Sequence, residues 1–185
     1  MIEIRWHSRA GQGAVTEAKG LAEVVATTGK DVQAYAFYGS AKHGAAMMAF
    51  NRFDDEVILN HEKYMQPDYV LVIDPALVYG ADITENEKDD TVYIITTHLS
   101  TEALVASQPK LKGKKVYTVD CIKISQETIG KAIPNAPMLG ALMKVSGMYD
   151  LEFFKENMFK VLNKLPQKII DANMVAIERA YNEVK

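Results

Sequence analysis

Residues 2–15 read IEIRWHSRAGQGAV, and this stretch indicates the fold class of the chain most clearly. An apolar and β-prone run over residues 2–7 leads into a turn with two glycines over residues 8–13. Small and apolar side chains then recur at helical spacing over residues 14–25, and Gly29 provides a C-terminal stop. A strand, a glycine turn and a helix in this order are typical of α/β domains.

Five further stretches have the composition of β-strands. Residues 32–38 and 47–53 are the first two, and a turn at Asp54 and Asp55 before residues 56–59 favours an antiparallel arrangement in this region. The other three are apolar throughout, as expected of strands buried on both faces: residues 69–73, 92–96 and 116–119. Their spacing favours parallel pairing with crossover connections.

Helices are predicted between the strands and throughout the last third of the chain. The predicted ranges are residues 100–107, 125–133, 138–148, 151–162 and 167–184, with breaks at Pro134, Pro137, Asp150 and Pro166. No internal repeat and no linker rich in Gly and Ser divides the chain. We therefore predict a single α/β domain over residues 1–185. It has a mostly parallel but mixed sheet flanked by helices, is Rossmann-like, and ends in a helical section.

The composition excludes several classes of function. The formal net charge of the 185 residues is -3, so no basic excess indicates a nucleic-acid partner. The single cysteine, Cys121, cannot form an internal disulfide or hold an iron–sulfur cluster, which needs several cysteine ligands. The first residues lack the apolar stretch of a signal peptide, and no apolar run approaches the ~20 residues of a membrane helix. We therefore expect a cytoplasmic protein that does not bind membranes.

The turn over residues 8–13 is the first candidate site. Glycines between a strand and a helix allow backbone N–H groups to approach an anion closely, aided by the positive end of the helix. The sequence Gly11-Gln12-Gly13 is only part of a dinucleotide-binding fingerprint, and no Walker lysine follows it. Two interpretations stay open. Either the turn contacts a phosphate, or the glycines only form a tight turn and let the helix pack closely on the sheet.

The second candidate site is the loop over residues 38–45, which reads YGSAKHGA. It is flanked by glycines, lies between two predicted strands, and carries Lys42 and His43 as potential cations. One interpretation is an anion-binding or subunit-contact loop that faces the first glycine turn. The other is an ordinary strand connection with a solvated lysine.

Several isolated residues are weaker candidates. Asp74 follows a buried strand, where α/β proteins often place functional carboxylates, but it can equally cap the next segment. His7, His61 and His98 lack metal-ligand spacing and are expected to be hydrogen-bonded structural residues. A lone cysteine such as Cys121 is more often small core filler than a nucleophile.

The two glycine-containing loops together resemble a known family. Residues 4–53, IRWHSRAGQGAVTEAKGLAEVVATTGKDVQAYAFYGSAKHGAAMMAFNRF, are similar to the start of gamma subunits of pyruvate:ferredoxin or flavodoxin oxidoreductases. In that family a turn of the type R-G-x-G-G-Q-G leads into a helix, and an aromatic–Gly segment with a charged pair and a further glycine follows. The segments VLVIDP (residues 70–75) and PNAPMLGAL (residues 134–142) also resemble the family.

The resemblance implies a subunit of a multi-subunit 2-oxoacid:acceptor oxidoreductase, with pyruvate as the favoured substrate. Such an enzyme decarboxylates the oxoacid on thiamine diphosphate and Mg²⁺. It passes two electrons through iron–sulfur clusters to ferredoxin or flavodoxin, and delivers the acyl group to coenzyme A. These cofactors are expected on or with partner subunits of the alpha, beta and delta types, because this chain has no cysteine cluster and no G-D-G sequence for thiamine diphosphate.

The resemblance also implies which residues bind. No catalytic residue and no metal ligand is expected on this chain. The two loops are expected at subunit contacts or on the side where coenzyme A enters, and their binding residues are Arg9, Gly11, Gln12, Gly13, Lys42, His43 and Gly44.

Three alternatives stay open at this point. The enzyme can be specific for 2-oxoglutarate or a branched-chain oxoacid, since those members share the fold. The chain can be a free-standing nucleotide-binding domain, against which stand the missing third glycine and the position of Asp31, which precedes the second strand where a ribose-binding acid would follow it. It can also be a purely structural subunit whose glycine loop binds nothing.

Overall fold

A mixed β-sheet forms the centre of the protein. The computed structural model describes residues 1–38, 44–60 and 66–185. Within these residues the sheet has six strands in the order β2-β3-β1-β4-β5-β6. They are β1 (Ile2–Arg9), β2 (Asp31–Tyr38), β3 (Ala46–Asp54), β4 (Tyr69–Val72), β5 (Val92–Thr96) and β6 (Lys115–Val119). Each of the six predicted strands is confirmed, with small shifts at the ends.

The two halves of the sheet differ in strand direction. On one side β3 pairs antiparallel with both β1 and β2. On the other side β1, β4, β5 and β6 are parallel neighbours. The antiparallel arrangement lies in the predicted region, but residues 56–59, which follow the predicted turn, form no strand. This segment is held by Asp31, whose Oδ2 accepts the Ile58 N–H at 2.7 Å.

Helices cover both faces of the sheet. They are α1 (Ala14–Ala26), α2 (Leu77–Gly80), α3 (Thr101–Ser107), α4 (Cys121–Thr128), α5 (Asn135–Ser146), α6 (Leu151–Val161) and α7 (Gln167–Glu183). One core contains Trp6 and Leu71 from the sheet together with residues of α1 and α4–α7. The opposite face, with Val72 and Tyr93, packs on α2 and α3. These observations confirm the predicted α/β class. Within the described part of the chain, no helix has the length and apolar character to span a membrane.

The predicted boundaries of α4 were wrong. The prediction began at Ser125 and ended at residue 133, whereas α4 begins at Cys121 and ends at Thr128. The Asp120 carboxylate accepts the Lys123 N–H at 3.0 Å and caps the helix four residues earlier than predicted. Ser125 is buried inside the helix, where its Oγ donates to the carbonyl of Cys121 at 2.8 Å. Serine and aspartate occur as caps at helix starts, and serine also occurs inside helices. The prediction took Ser125 as the start of the helix, whereas Asp120 is the residue that caps it.

The N-terminus of α5 also differs from the prediction. The helix begins at Asn135, three residues before the predicted start. The prediction treated Pro137 as a break before the helix, but this proline lies in the first turn. Proline is tolerated there since the first N–H groups of a helix have no intrahelical partner. Further along, α5 approaches α7 very closely. A Cβ added to Gly140 would lie 1.9 Å from the carbonyl oxygen of Ile177, so this crossing requires glycine.

Candidate functional site

The side chain of Gln12 closes the glycine turn after β1. Its Oε1 accepts the Arg9 N–H at 2.9 Å and faces the Ser8 hydroxyl at 3.2 Å. Its Nε2 donates to Oδ2 of Asp74 at 2.7 Å, at the end of β4. Both polar atoms of this amide are therefore engaged by the protein. Gln12 therefore links the turn, by hydrogen bonds, to the end of the neighbouring parallel strand, and we call this the braced turn.

Arg9 joins three segments at the same edge of the sheet. Its Nε donates to Oδ2 of Asp74 at 3.0 Å, and its Nη1 donates to the Gly44 carbonyl at 3.2 Å. Beside it, the Ala10 N–H donates to the Ala45 carbonyl at 3.0 Å. The end of the second loop thus lies against the first turn. Gly44, predicted for one loop, and Arg9, predicted for the other, are in direct contact.

Asp74 caps the segment that follows it, which is the second of the two roles considered for it. Its Oδ2 receives Arg9 and Gln12, while its Oδ1 accepts the Ala76 N–H at 2.9 Å. The carboxylate therefore stabilises the chain where β4 ends, and it orients both side chains of the glycine turn. Its side chain is 12% exposed against 39% for Arg9, so the ion pair has one face towards solvent.

The two glycines of the turn have different surroundings. Both have positive φ, 98° at Gly11 and 89° at Gly13. A Cβ at Gly13 would lie 2.4 Å from Nδ2 of Asn135, so this glycine lets the start of α5 approach α1. Gly11 is exposed. The close approach at Gly13 is therefore to the start of α5, whereas the packing interpretation placed it against the sheet, and Gly11 presents backbone to solvent.

The remaining predicted binding residues, Lys42 and His43, lie outside the described residues. Gly44 adopts a φ of 77°, which favours glycine, and among the described residues nothing lies within 4 Å of where its Cβ would be. Among the described residues no group of three His, Cys, Asp or Glu side chains has metal-binding geometry.

Two of the weaker candidates have clear outcomes. Cys121 is fully buried, and burial raises the pKa of its thiol to about 12, so it is core filler as predicted. The prediction of a hydrogen-bonded histidine was wrong for His7, whose buried Nε2 has no partner among the described residues. His98 is exposed, and His61 lies outside the described residues.

Glu17 is a buried charged residue near the glycine turn that the sequence analysis did not single out. It lies in the first turn of α1, beside the glycine turn, and accepts a hydrogen bond from Nδ2 of Asn135 at 2.9 Å. Burial raises the pKa of this carboxyl to about 7. The signal was in the helical spacing, which places Glu17 on the same buried stripe as Ala14 and Leu21.

The fold and the braced glycine turn define a Rossmann-like α/β protein. A model of the family described as pyruvate ferredoxin/flavodoxin oxidoreductase matches residues 3–183. The chain belongs to this family. The predicted resemblance to its gamma subunits is confirmed by relatives that carry the names of such subunits.

Two relatives and two solved structures illustrate the similarity. The chain is 42% identical to pyruvate synthase subunit PorC of Thermotoga maritima, over 100% of this chain and 95% of the relative. It is 37% identical to the pyruvate/ketoisovalerate oxidoreductases common subunit gamma of Pyrococcus furiosus, over 100% of this chain and 98% of the relative. The crystal structure of pyruvate oxidoreductase subunit PORC from Thermotoga maritima has a TM-score of 0.84 at 39% identity and covers 100% and 97% of the two chains. The gamma subunit of a keto/oxoacid ferredoxin oxidoreductase from Geobacter sulfurreducens has a TM-score of 0.75 at 20% identity over 98% and 97%, which shows the shared fold.

Proposed function

We propose that this chain is the gamma subunit of a complex that oxidises pyruvate to acetyl-CoA and CO₂ and passes the electrons to ferredoxin or flavodoxin. The observation that carries the proposal is the 42% identity, over the whole chain, to the pyruvate synthase subunit of Thermotoga maritima. Whole-chain similarity to subunits of an oxidoreductase favours this role over a free-standing nucleotide-binding domain.

The cofactors of the reaction belong to partner subunits in this proposal. The partners are of the alpha, beta and delta types, and together they carry thiamine diphosphate, Mg²⁺ and the iron–sulfur clusters. The residues of this chain do not fit a cluster, because the single cysteine is fully buried at the start of α4 and cannot supply several thiolates. The chain itself completes the assembly and shapes the surface by which coenzyme A enters.

The exposed edge of the sheet around Arg9, Gly11 and Gly44 is the proposed contact surface. Arg9 is held by Asp74 through Nε, yet more than a third of its side chain is exposed. The braced turn therefore offers a fixed guanidinium beside an open glycine backbone. That combination suits either an acidic group on a partner subunit or a phosphate of coenzyme A.

A substitution of Lys42 distinguishes binding of coenzyme A from binding of a partner subunit. If the loop touches a phosphate of coenzyme A, Lys42→Ala raises the KM for coenzyme A by roughly five- to tenfold and leaves kcat unchanged. Lys112→Ala is the matched control, because Lys112 is an exposed lysine elsewhere on the chain. An unchanged KM with weakened assembly assigns the loop to a subunit contact.

A second substrate has a specific observation in its favour. The relative from Pyrococcus furiosus is named as a subunit common to pyruvate and ketoisovalerate oxidoreductases. This chain can therefore serve two complexes that differ in their other subunits. The oxoacid would then be selected by the partners, and the gamma subunit would supply the same surface to each.

Reconstitution tests the proposed role. The subunits are produced separately, assembled under anaerobic conditions, and assayed for coenzyme A-dependent oxidation of pyruvate, 2-ketoisovalerate and 2-oxoglutarate. We expect pyruvate oxidation only when this chain is present. Full activity of a complex that lacks the chain would contradict the proposal.

A further inference from the structure

The outward face of α6 carries a row of charged residues that is acidic at one end and basic at the other. The members of the row follow one another at intervals of four residues: Glu152, Glu156, Lys160 and Lys164. Residues four apart lie on the same face of a helix, so the row continues along α6 and into the turn after it. All four residues are exposed.

Most of these charges have no ionic partner within the part of the chain that the structure describes. Glu152 lies 3.5 Å from Nζ of Lys155. The ion pairs of the described residues include none with Glu156, Lys160 or Lys164, and Nζ of Lys160 donates to Oδ1 of Asn157 at 3.3 Å. The helix dipole favours an acid in the first turn and a base in the last turn, but Glu156 lies in the middle of α6. The arrangement therefore leaves charges of both signs available to a partner.

A mostly apolar groove of about 550 Å³ runs beside the row, between α6 and α7. Phe159 of α6 and Met174 of α7 line it, together with charged residues of α6. The Phe159 side chain is large and apolar, yet the residue is 40% exposed. Removing such a ring from water is favourable, so the groove and the ring suit a protein surface that covers both.

We propose that this surface binds a second copy of the same chain, with the two α6 helices antiparallel across a two-fold axis. A two-fold interface brings the same patch of both copies together, so the patch must complement itself. When the axis passes midway between Glu156 and Lys160, each of these residues lies opposite the other in the second copy. The same axis places Glu152 opposite Lys164. A partner surface of one charge sign would match only half of the row, whereas a second copy matches all of it.

The same axis brings the apolar parts of the two copies together. Phe159 lies one residue from the axis, or about 1.5 Å along the helix. Each Phe159 ring therefore lies over the groove of the other copy, where Met174 provides apolar surface. The patch covers about three turns of one helix and part of a second. An interface of this size is small, and we expect a Kd on the order of 10–100 µM.

The inference goes beyond the proposed subunit role. The contact would join two gamma subunits, and through them two complexes, and it does not depend on the identity of the oxoacid. The residues that form it lie within residues 66–185, all of which the structure describes.

Sedimentation velocity of the full chain tests the proposal. We expect monomers at about 1 µM and a growing fraction of dimers up to about 500 µM, with weaker association in 0.5 M NaCl because salt screens the exposed charges. A chain that stays monomeric at about 500 µM overturns the proposal.

Charge reversal assigns the contact to α6. Glu156→Lys leaves two bases at positions 156 and 160, and Lys160→Glu leaves two acids there. Each variant alone opposes like charges across the axis, so we expect its self-association to weaken by about tenfold or more. An equimolar mixture of the two variants opposes unlike charges again and should form a heterodimer with nearly the wild-type Kd. Exposed Lys112 provides the matched control, Lys112→Glu, which should dimerise as the wild type does.

Truncation of the ring gives an independent check. Phe159→Ala should weaken the dimer by about tenfold or more, because the ring lies at the centre of the interface. Tyr79→Ala is the matched control, because Tyr79 is an exposed aromatic residue of α2 on the opposite face of the sheet. Equal dimerisation of wild type, both charge variants and Phe159→Ala would rule out this surface. Loss of binding to the other subunits in these variants, with a wild-type chain that stays monomeric, would assign the surface to a different partner and contradict the proposal.

Discussion

Glu17 makes the stability of the fold depend on pH near neutrality. Its side chain is 7% exposed, and burial raises its pKa from 4.5 to about 7. In the unfolded chain this carboxyl loses its proton near pH 4.5, whereas in the folded protein it keeps the proton until about pH 7. Between these values the folded state binds more protons, so stability from this group falls as pH rises. The difference of about 2.5 pKa units corresponds to roughly 3 kcal/mol at alkaline pH.

The substitution Glu17→Gln isolates this effect. Glutamine retains an oxygen for Asn135 Nδ2, and it resembles the protonated acid in shape and charge. We expect wild type and variant to have similar free energies of unfolding at about pH 4, below the pKa of this carboxyl in the unfolded chain. At about pH 8 the variant should be more stable by roughly 3 kcal/mol, because the wild type must bury a charge there. Glu23→Gln on the exposed face of α1 is the matched control.

Urea unfolding at a series of pH values measures the effect. The single tryptophan, Trp6, is fully buried and reports on the core by its fluorescence, with circular dichroism as a second probe. The variant-minus-wild-type difference should grow from about pH 4 to about pH 8 and then level off. A constant difference across this range would refute the reasoning. So would an equal pH dependence in Glu23→Gln.

Three further predictions concern other features of the fold. Gly140→Ala gains about 1 kcal/mol of helix propensity but places Cβ against the backbone of α7, so we expect a net loss of at least about 2 kcal/mol in urea unfolding. Gly80→Ala, where no atom of the described residues lies within 4 Å of the added Cβ, should stay within about 0.5 kcal/mol of wild type. Asp74→Asn removes the carboxylate that holds the glycine turn and should cost about 1–2 kcal/mol, while exposed Asp89→Asn should cost nothing measurable. The Cys121 thiol, with its pKa raised to about 12, should react with a thiol reagent only as fast as the protein unfolds, and rapid labelling of the folded chain would contradict its burial.

The strands could be predicted from the sequence because their signals are local. Apolar runs, glycines and prolines identify β4, β5 and β6 within a few residues of chain, and no distant partner is needed. Helix boundaries were less secure. Asp120 and Ser125 are both capable of capping, and only the burial of Ser125 decides between them.

The candidate site depended on distant contacts that no local pattern contains. The sequence predicted Arg9 and Gln12 as binding residues, but their partner Asp74 is more than sixty residues away along the chain. Because Arg9 and Gln12 donate hydrogen bonds to the Asp74 carboxylate, both side chains also stabilise the fold. The pKa of Glu17 has the same origin, because its burial depends on the packing of α5 against α1. The binding role of the two loops stays a prediction.

The most direct test of the subunit role uses the chain in its native setting. The chain is affinity-tagged in its native cells and isolated without oxygen. The co-purifying proteins are identified, and the preparation is assayed for coenzyme A-dependent reduction of ferredoxin or flavodoxin with pyruvate. We predict partner subunits that carry thiamine diphosphate and iron–sulfur clusters, together with pyruvate-dependent electron transfer. Recovery of the chain alone, with no such partners and no activity towards pyruvate, 2-ketoisovalerate or 2-oxoglutarate, would contradict its assignment as a subunit of this enzyme.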